Sequence, residues 1–236
     1  MYHAKIVGSE YHARRASEEV KRLFAGDAVL KPAEYWTIVR RNRGMLISIV
    51  DEHNRMRGFF DVFPLKNRVA QAFLRGRLSE RSLLSPEGIC SPRQAASSKY
   101  IYLGTILAFN ATSRAAKLSL EYSMIKPLLK YLKDRYPAKS GRIYFALAST
   151  RLGEKWIRAC RFNAKTTLSF YGHTRVIYEF RATKTNVKRL GAATNATKGP
   201  RGRKPIPIRC TWGRSLLQGR MPNQEEPKAS PEESCR

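Results

Sequence analysis

The stretch Tyr100-Ile101-Tyr102-Leu103-Gly104-Thr105-Ile106-Leu107-Ala108-Phe109 decides the fold. It is apolar almost without a break, which is typical of a strand that is covered on both faces. A second strand of this kind is predicted at 142–148, RIYFALA. A helix is predicted between them, and Pro127 is expected to kink or split it. Two parallel neighbouring strands joined by a right-handed helical crossover follow from this order.

The crossover helix is predicted to start at about Ser113 and to bury one stripe of side chains at helical spacing. The residues of that predicted stripe are Leu118, Tyr122, Ile125, Leu129 and Leu132.

Working outward from this unit, the hydrophobic patterns predict further helices and strands on both sides. Before residue 100 they are helices at 13–25 and 31–42, strands at 45–50 and 57–63, short helical pieces at 67–83, and a loop at 85–98. After residue 148 they are a helix at 151–160 and strands at 166–171 and 174–181. The first two strands form an antiparallel hairpin, and Pro64 is expected to end the second of them. The prediction is therefore an α/β protein, more closely an α+β mixed sheet with helices on both faces.

Three segments are predicted along the chain. Residues 1–29 form an N-terminal helical segment, residues 30–182 form the domain with the sheet, and residues 183–236 form a tail. In the tail the apolar side chains thin out, and Lys, Arg, Gly and Pro dominate. This composition predicts a basic, disordered tail.

Positive charge is the strongest signal in the composition. The chain has 45 Lys and Arg against 18 Asp and Glu, a formal net charge of +27, and the excess is present in residues 1–182 as well as in the tail. Such a field attracts polyanions, so nucleic acid or a ribosome is the expected anionic partner. The alternative is that the charge only keeps the protein in solution.

Metal binding and membrane insertion are not predicted. The four cysteines and four histidines are scattered without the spacing of zinc ligands. No apolar run approaches the roughly 20 residues that span a bilayer, and the first residues lack the apolar stretch of a signal peptide. We therefore expect a cytoplasmic protein.

Five segments, taken in order, match the pattern of a known family. They are 58–65 (GFFDVFPL), 102–108 (YLGTILA), 143–153 (IYFALASTRLG), 156–162 (WIRACRF) and 177–180 (IYEF). Together they resemble the second, fourth and fifth strands, the end of the last helix and the closing strand of the GNAT (Gcn5-related) N-acetyltransferases. The resemblance covers about residues 30–182. It implies the GNAT acyl-CoA N-acyltransferase fold, acetyl-CoA as cofactor and an amine as acceptor.

The family's pyrophosphate loop is degenerate in this chain. Family members carry Q/R-x-x-G-x-G/A after the fourth strand, and its backbone amides and the helix N-terminus hold the pyrophosphate. Here residues 110–118 read NATSRAAKL, without a glycine, and alanine adopts positive φ only at a cost. An ordinary Ser-capped helix start is the alternative interpretation. The residues that the resemblance assigns to the cofactor are Leu107, Ala108 and Phe109 for the pantetheine amides, and Ser113, Arg114, Ala115 and Ala116 for the pyrophosphate.

Three residues are candidates for proton transfer. Many family members place a tyrosine in the last helix to protonate the leaving thiolate, but Ile157 stands there, so Tyr171 is considered as its substitute. Asp61 is a candidate base because strand alternation places it with apolar neighbours, which raises a carboxyl pKa. His173 is another, since imidazole titrates near neutral pH. Structural roles are the alternatives for all three, including an ion pair of Asp61 with Arg57.

The sequence thus predicts an N-acyltransferase that moves an acetyl or other acyl group from acyl-CoA to an amine. Two alternatives stay open. One is a non-catalytic GNAT-like protein that binds nucleic acid or a ribosome, which the charge favours. The other is a cofactor-binding regulator without catalysis, which the missing glycines and Ile157 favour.

Overall fold

The computed structural model describes residues 3–6, 9–23, 30–109, 114–137, 141–148, 151–159, 162–170 and 173–182. The tail predicted from residue 183 lies outside these residues. The described strands are β1 (His3–Ile6), β2 (Leu46–Val50), β3 (Met56–Leu65), β4 (Tyr100–Ala108), β5 (Ile143–Leu147), β6 (Asn163–Phe170) and β7 (His173–Arg181).

The described helices lie between these strands. They are α1 (Glu10–Leu23), α2 (Pro32–Arg41), α3 (Asn67–Leu74), α4 (Glu80–Leu83), α5 (Pro92–Ala95), α6 (Arg114–Arg135) and α7 (Arg151–Ala159), with a 3-10 turn at Arg43–Met45. None of them combines the length and the apolar composition that a bilayer crossing requires.

The strands form one mixed sheet in the order β1-β2-β3-β4-β5-β7-β6. Its centre is the parallel pair β4 and β5, connected through α6. The other neighbouring strands are antiparallel, including the hairpins β2–β3 and β6–β7. The predicted parallel unit, the predicted hairpin and the mixed sheet are confirmed.

Helices cover both faces of the sheet, as predicted, because alternate strand residues point to opposite sides. Phe59 and Phe63 of β3 lie in a core with residues of α1 to α4. Phe60 and Val62 lie in a second core with residues of α5 and α6. Burial of each aromatic side chain stabilises the fold by roughly 1.5–3 kcal/mol.

Pro64 does not end β3, and that prediction was wrong. The strand continues to Leu65, and Pro64 pairs with Ile101 of β4. The Pro64 carbonyl accepts a hydrogen bond from Cys90 N at 2.9 Å, on the side away from β4. A residue's N and C=O point to the same side in an antiparallel ladder. The missing N–H of Pro64 therefore removes no bond to β4.

The predicted buried stripe on α6 is confirmed at Leu132 and was wrong at Ile125 and Leu129. Ile125 and Leu129 are only half-buried, and the helix runs through Pro127 without ending. Leu118 and Tyr122 have side chains outside the described ones. Among the side chains of α6 that the structure describes, the buried ones are those of Leu120, Met124, Leu128, Tyr131 and Leu132. Residues 118–132 carry apolar side chains on two adjacent stripes, so spacing alone does not choose between them.

Several smaller elements differ from the prediction. The segment 1–29 contains β1 as well as a helix, and that helix begins at Glu10. The predicted loop at 85–98 contains α5, and β6 begins at Asn163. All four residues of β1 are exposed. The strand is therefore held by its pairing with β2 rather than by an apolar pattern that could be read from the sequence.

Candidate active site

The sheet opens between β4 and β5. Their pairing begins at Tyr100 with Ile143 and ends at Leu103 with Ala146, whereas β4 continues to Ala108. Beyond Leu103, no strand of the described residues pairs with β4 on this side. Residues 104–106 are half-buried. The second half of β4 thus presents backbone groups to a gap in the sheet.

Register decides which backbone groups face this gap. Phe109 N donates to Arg57 O of the preceding hairpin at 2.9 Å, and Phe59 stands opposite Leu107. Successive residues of an antiparallel ladder direct their N–H and C=O groups to opposite sides. The backbone groups of Leu107 and Phe109 therefore face β3, while those of Ala108 and Ile106 face the gap. Of the three residues that the resemblance assigns to pantetheine, Ala108 directs its backbone groups into the gap, and so does Ile106, which was not among the three.

A β-bulge lies at the start of the gap. Phe60 pairs with Ile106, but Val62 pairs with Leu103, so Asp61 stands opposite both Gly104 and Thr105. The Thr105 N–H donates to Asp61 Oδ1. A Cβ at Gly104 would collide with that oxygen and would lie 2.8 Å from Phe63 Cε2. The absent side chain of Gly104 is what makes room for the carboxylate.

Asp61 is buried, with 5% of its surface exposed. Burial raises the pKa of its carboxyl group to about 7, although the hydrogen bond from the Thr105 N–H acts against this rise. The Tyr35 hydroxyl of α2 also donates to it, to Oδ2 at 3.0 Å. The apolar setting that strand alternation predicted is therefore present. The alternative, an ion pair between Asp61 and Arg57, is not formed. The Arg57 guanidinium binds Asp51 Oδ2 instead, at 2.8 Å.

A second acidic group lies on the same face of the sheet. Glu80 of α4 accepts a hydrogen bond from the Tyr102 hydroxyl of β4 and forms an ion pair with Arg175 of β7 at 3.5 Å. Burial raises the pKa of Glu80, and its charge in turn raises the pKa of Asp61. Sequence reasoning missed Tyr35, Tyr102 and Glu80, because they meet Asp61 or one another only in the folded chain.

The other predicted site residues are placed only in part. Arg114, Ala115 and Ala116 form the first turn of α6, at the end of β4 that borders the gap. His173 is the first residue of β7 and pairs with Phe170. The side chains of Arg114, Ala115, Ala116 and His173 are not among the described ones. Ser113 and Tyr171 lie wholly outside the described residues. Ile157 of α7 packs partly buried on the α6 side and carries no proton donor.

Metal ligands do not cluster in the part of the chain that the structure describes. It contains no group of three or more His, Cys, Asp or Glu side chains close enough to hold an ion. The candidate site therefore consists of an open strand edge, a helix that starts beside it, and a carboxylate with a near-neutral pKa.

Comparison with known proteins places this arrangement in a fold. No family model matches the sequence, and no curated protein matches it. Solved structures do match. The loading GNATL domain of CurA from Lyngbya majuscula has a TM-score of 0.54 at 10% identity, over 77% of this chain and 98% of that domain. Ard1 from Thermoplasma volcanium has a TM-score of 0.51 at 6% identity, over 78% and 99%.

A protein assigned as a phosphinothricin N-acetyltransferase has a TM-score of 0.51 at 8% identity, covering 78% of this chain and 100% of that one. At identities this low, the similarity shows a shared backbone fold and does not indicate a shared substrate. The mixed sheet, the helices on both faces and the gap beside β4 together show that this chain has the GNAT acyltransferase fold.

Proposed function

We propose that the chain is an acyl-CoA-dependent N-acyltransferase that uses Asp61 as general base. The observation that carries this proposal is the position of Asp61. Its carboxyl group, with a pKa of about 7, lies across β4 from the point where β5 separates. The gap offers backbone groups that an acyl-CoA could pair with, and a base that titrates near neutral pH suits removal of the proton from an attacking amine.

The described backbone fits an acyl-CoA. Ile106 and Ala108 direct N–H and C=O groups into the gap, where the amides of pantetheine would pair with them as an added strand does. The first turn of α6 offers N–H groups that have no partner within the helix, and the positive end of the helix dipole, for the pyrophosphate. Ala115 and Ala116 lie within α6. Since helical residues have negative φ, glycines are not required at these two positions.

The cofactor, when bound, supplies the thioester carbonyl that the amine attacks. The amine must lose a proton as its bond to carbon forms, and in this proposal the Asp61 carboxylate receives it. Because Tyr35 donates its hydroxyl proton to Asp61 Oδ2, a proton can reach the buried carboxylate through that hydroxyl. The C–S bond breaks, and the thiolate leaves with a proton from solvent or from a residue outside the described ones. Acetyl is the acyl group that we propose.

A free-thiol release assay with acetyl-CoA and a panel of amines tests this function. The parent rate should rise with pH about a midpoint near 7, because only the ionised carboxylate accepts a proton. Asp61→Asn should lower the rate roughly 100-fold or more and abolish this pH limb. The matched control is Asp51→Asn, which removes an equally buried carboxylate at the β2–β3 turn. Equal losses in the two variants would assign Asp61 a structural role, and binding of acetyl-CoA without turnover by the parent would favour a regulator.

A further inference from the structure

A concave surface on α3 is lined by arginines that the proposed acyl transfer does not use. Arg68, Arg75 and Arg77, with Gln71 and Ala72, surround a cavity of about 460 Å³. The three arginines are exposed, and none of them forms an ion pair with a carboxylate of the described residues. We call Arg68, Arg75 and Arg77 the arginine patch.

The local fold holds these side chains together. Arg68, Gln71, Ala72 and Arg75 recur at the spacing of one helix face, while Ala70 and Phe73 are buried on the opposite side. After the helix, Gly76 has φ +72, Gly76 N donates to Phe73 O at 2.8 Å and Arg77 N donates to Ala72 O at 2.9 Å. This Schellman turn brings Arg77 back beside the helix end.

The patch is separate from the cofactor site. Gln71 Nε2 donates to the Tyr100 hydroxyl at 3.4 Å, so α3 lies by the first residue of β4. The first turn of α6 follows the last residue of that strand, Ala108. A strand rises about 3.3 Å per residue, which separates the two ends of β4 by roughly 25 Å. The cofactor's phosphates therefore do not explain the patch.

We propose that the arginine patch binds the phosphodiester backbone of a nucleic acid. Guanidinium groups match phosphate oxygens in charge and geometry, and no carboxylate of the described residues neutralises these three. The surface is open and four of its five lining residues have polar side chains, whereas small-molecule sites enclose most of their ligand. The described residues that line it include no exposed aromatic anchor of the kind on which protein partners rely. The chain's net charge of +27 favours the same polyanion.

Fluorescence anisotropy with a short labelled single-stranded oligonucleotide tests the proposal on the full chain. The patch variant is Arg68→Glu, Arg75→Glu and Arg77→Glu together. The matched control reverses three exposed cations that lie apart on α2, α6 and β6, namely Arg41→Glu, Lys133→Glu and Lys165→Glu. Both variants lower the net charge equally, and their melting temperatures establish that both are folded.

The patch variant should bind at least about tenfold more weakly than the parent near 100 mM salt, and the control less than about threefold more weakly. Between about 50 and 200 mM salt, the slope of log affinity against log salt should be smaller in magnitude by about 2 for the patch variant than for the parent. This is the change expected when three phosphate contacts to a single strand are lost. Equal weakening in both variants would overturn the proposal in favour of overall charge. Poly-glutamate that binds as tightly, with the same dependence on the patch, would overturn it in favour of an acidic protein partner, and a parent that binds no oligonucleotide would overturn it outright.

Discussion

At the scale of single residues, Asp61 and Gly104 depend on each other. The carboxylate occupies the space that a Cβ at Gly104 would need, and it accepts the N–H of the bulge residue Thr105. In a regular antiparallel ladder the Thr105 N–H would donate to a backbone carbonyl of the neighbouring strand. Here, in the bulge, it donates to the Asp61 side chain instead. This contact fixes the carboxylate at the start of the gap, which is where the proposed chemistry needs it.

Gly104→Ala should therefore destabilise the protein by roughly 1–3 kcal/mol, the usual cost of forcing an atom into an occupied core. Equilibrium unfolding in urea measures this cost. The matched background is Asp61→Ala, in which the colliding oxygen is absent and the same Gly104→Ala change should cost less. A cost that is identical in both backgrounds would contradict the packing argument.

The raised pKa of Asp61 also predicts a dependence of stability on pH. The folded pKa of about 7 lies above the unfolded value near 4, so folding binds a proton in this window. The stability from this group is complete below pH 4 and is lost as pH rises through about 7. The unfolding free energy of the parent minus that of Asp61→Asn should fall over this range, with a steepest slope of roughly 1.4 kcal/mol per pH unit. A difference that is flat or rises with pH would contradict the assignment.

At the scale of elements, the C-terminus of α3 depends on a backbone conformation that side chains rarely adopt. Gly76 has φ +72. Gly76→Ala should cost roughly 1–2 kcal/mol of unfolding free energy, the penalty of the left-handed conformation for a residue with a Cβ. Gly76→Asn is the control and should cost less, because asparagine tolerates this conformation. Equal costs for Ala and Asn would point instead to contact with Leu168 Cδ2, which lies 3.3 Å from the position of a Cβ.

The orientation of α6 gives a second prediction at this scale. Leu128 is buried against the sheet and its neighbour Leu129 is only half-buried. Leu128→Ala should therefore cost about 2–5 kcal/mol, as for other core leucines, and Leu129→Ala clearly less. Urea unfolding of the two single variants compares them directly. A larger loss of unfolding free energy in Leu129→Ala than in Leu128→Ala would contradict this orientation of α6 and support the stripe that was predicted from spacing alone.

These elements show what the sequence could and could not predict. The strand alternation of Phe59, Asp61 and Phe63 was sufficient to place a carboxylate in an apolar setting. The partners of that carboxylate were not predictable, because Tyr35 and Thr105 approach it only through the packing of α2 and the bulge in β4. The succession of β2 to β7 along the chain could be predicted from their apolar runs. The four residues of β1 are exposed and form no apolar run, so this strand could not be predicted.

At the scale of the whole molecule, we expect the domain to fold without the basic tail predicted from residue 183. Truncation after Ala182 should leave the melting temperature within a few degrees of that of the full chain, because residues of this composition bury little apolar surface. Thermal unfolding followed by circular dichroism measures the two proteins side by side. A truncated chain that fails to fold would show that the tail belongs to the domain.

The net charge of +27 predicts which amines are acceptors. A positive field repels polycations, so polyamines such as spermidine should be poor acceptors, and amines on anionic or zwitterionic molecules should be better. Salt should weaken the apparent affinity for the better acceptors, since the Debye length falls from about 10 Å at 0.1 M to about 3 Å at 1 M. Thiol release at both salt concentrations measures this. If polyamines were the best acceptors, or if salt had no effect on the affinity, this argument would be contradicted. The positive charge would then serve only to keep the protein in solution.

Stabilisation of the protein by acetyl-CoA tests most directly whether the gap beside β4 is a cofactor site. At about 100 times its dissociation constant the cofactor should add roughly 2.7 kcal/mol to the unfolding free energy. Arg114→Glu, in the first turn of α6, should remove most of this gain. Lys133→Glu makes the same charge change in the last turn of α6, at the opposite end of the helix, and should leave the gain intact. Equal stabilisation of all three proteins, or none of the parent, would contradict cofactor binding beside β4.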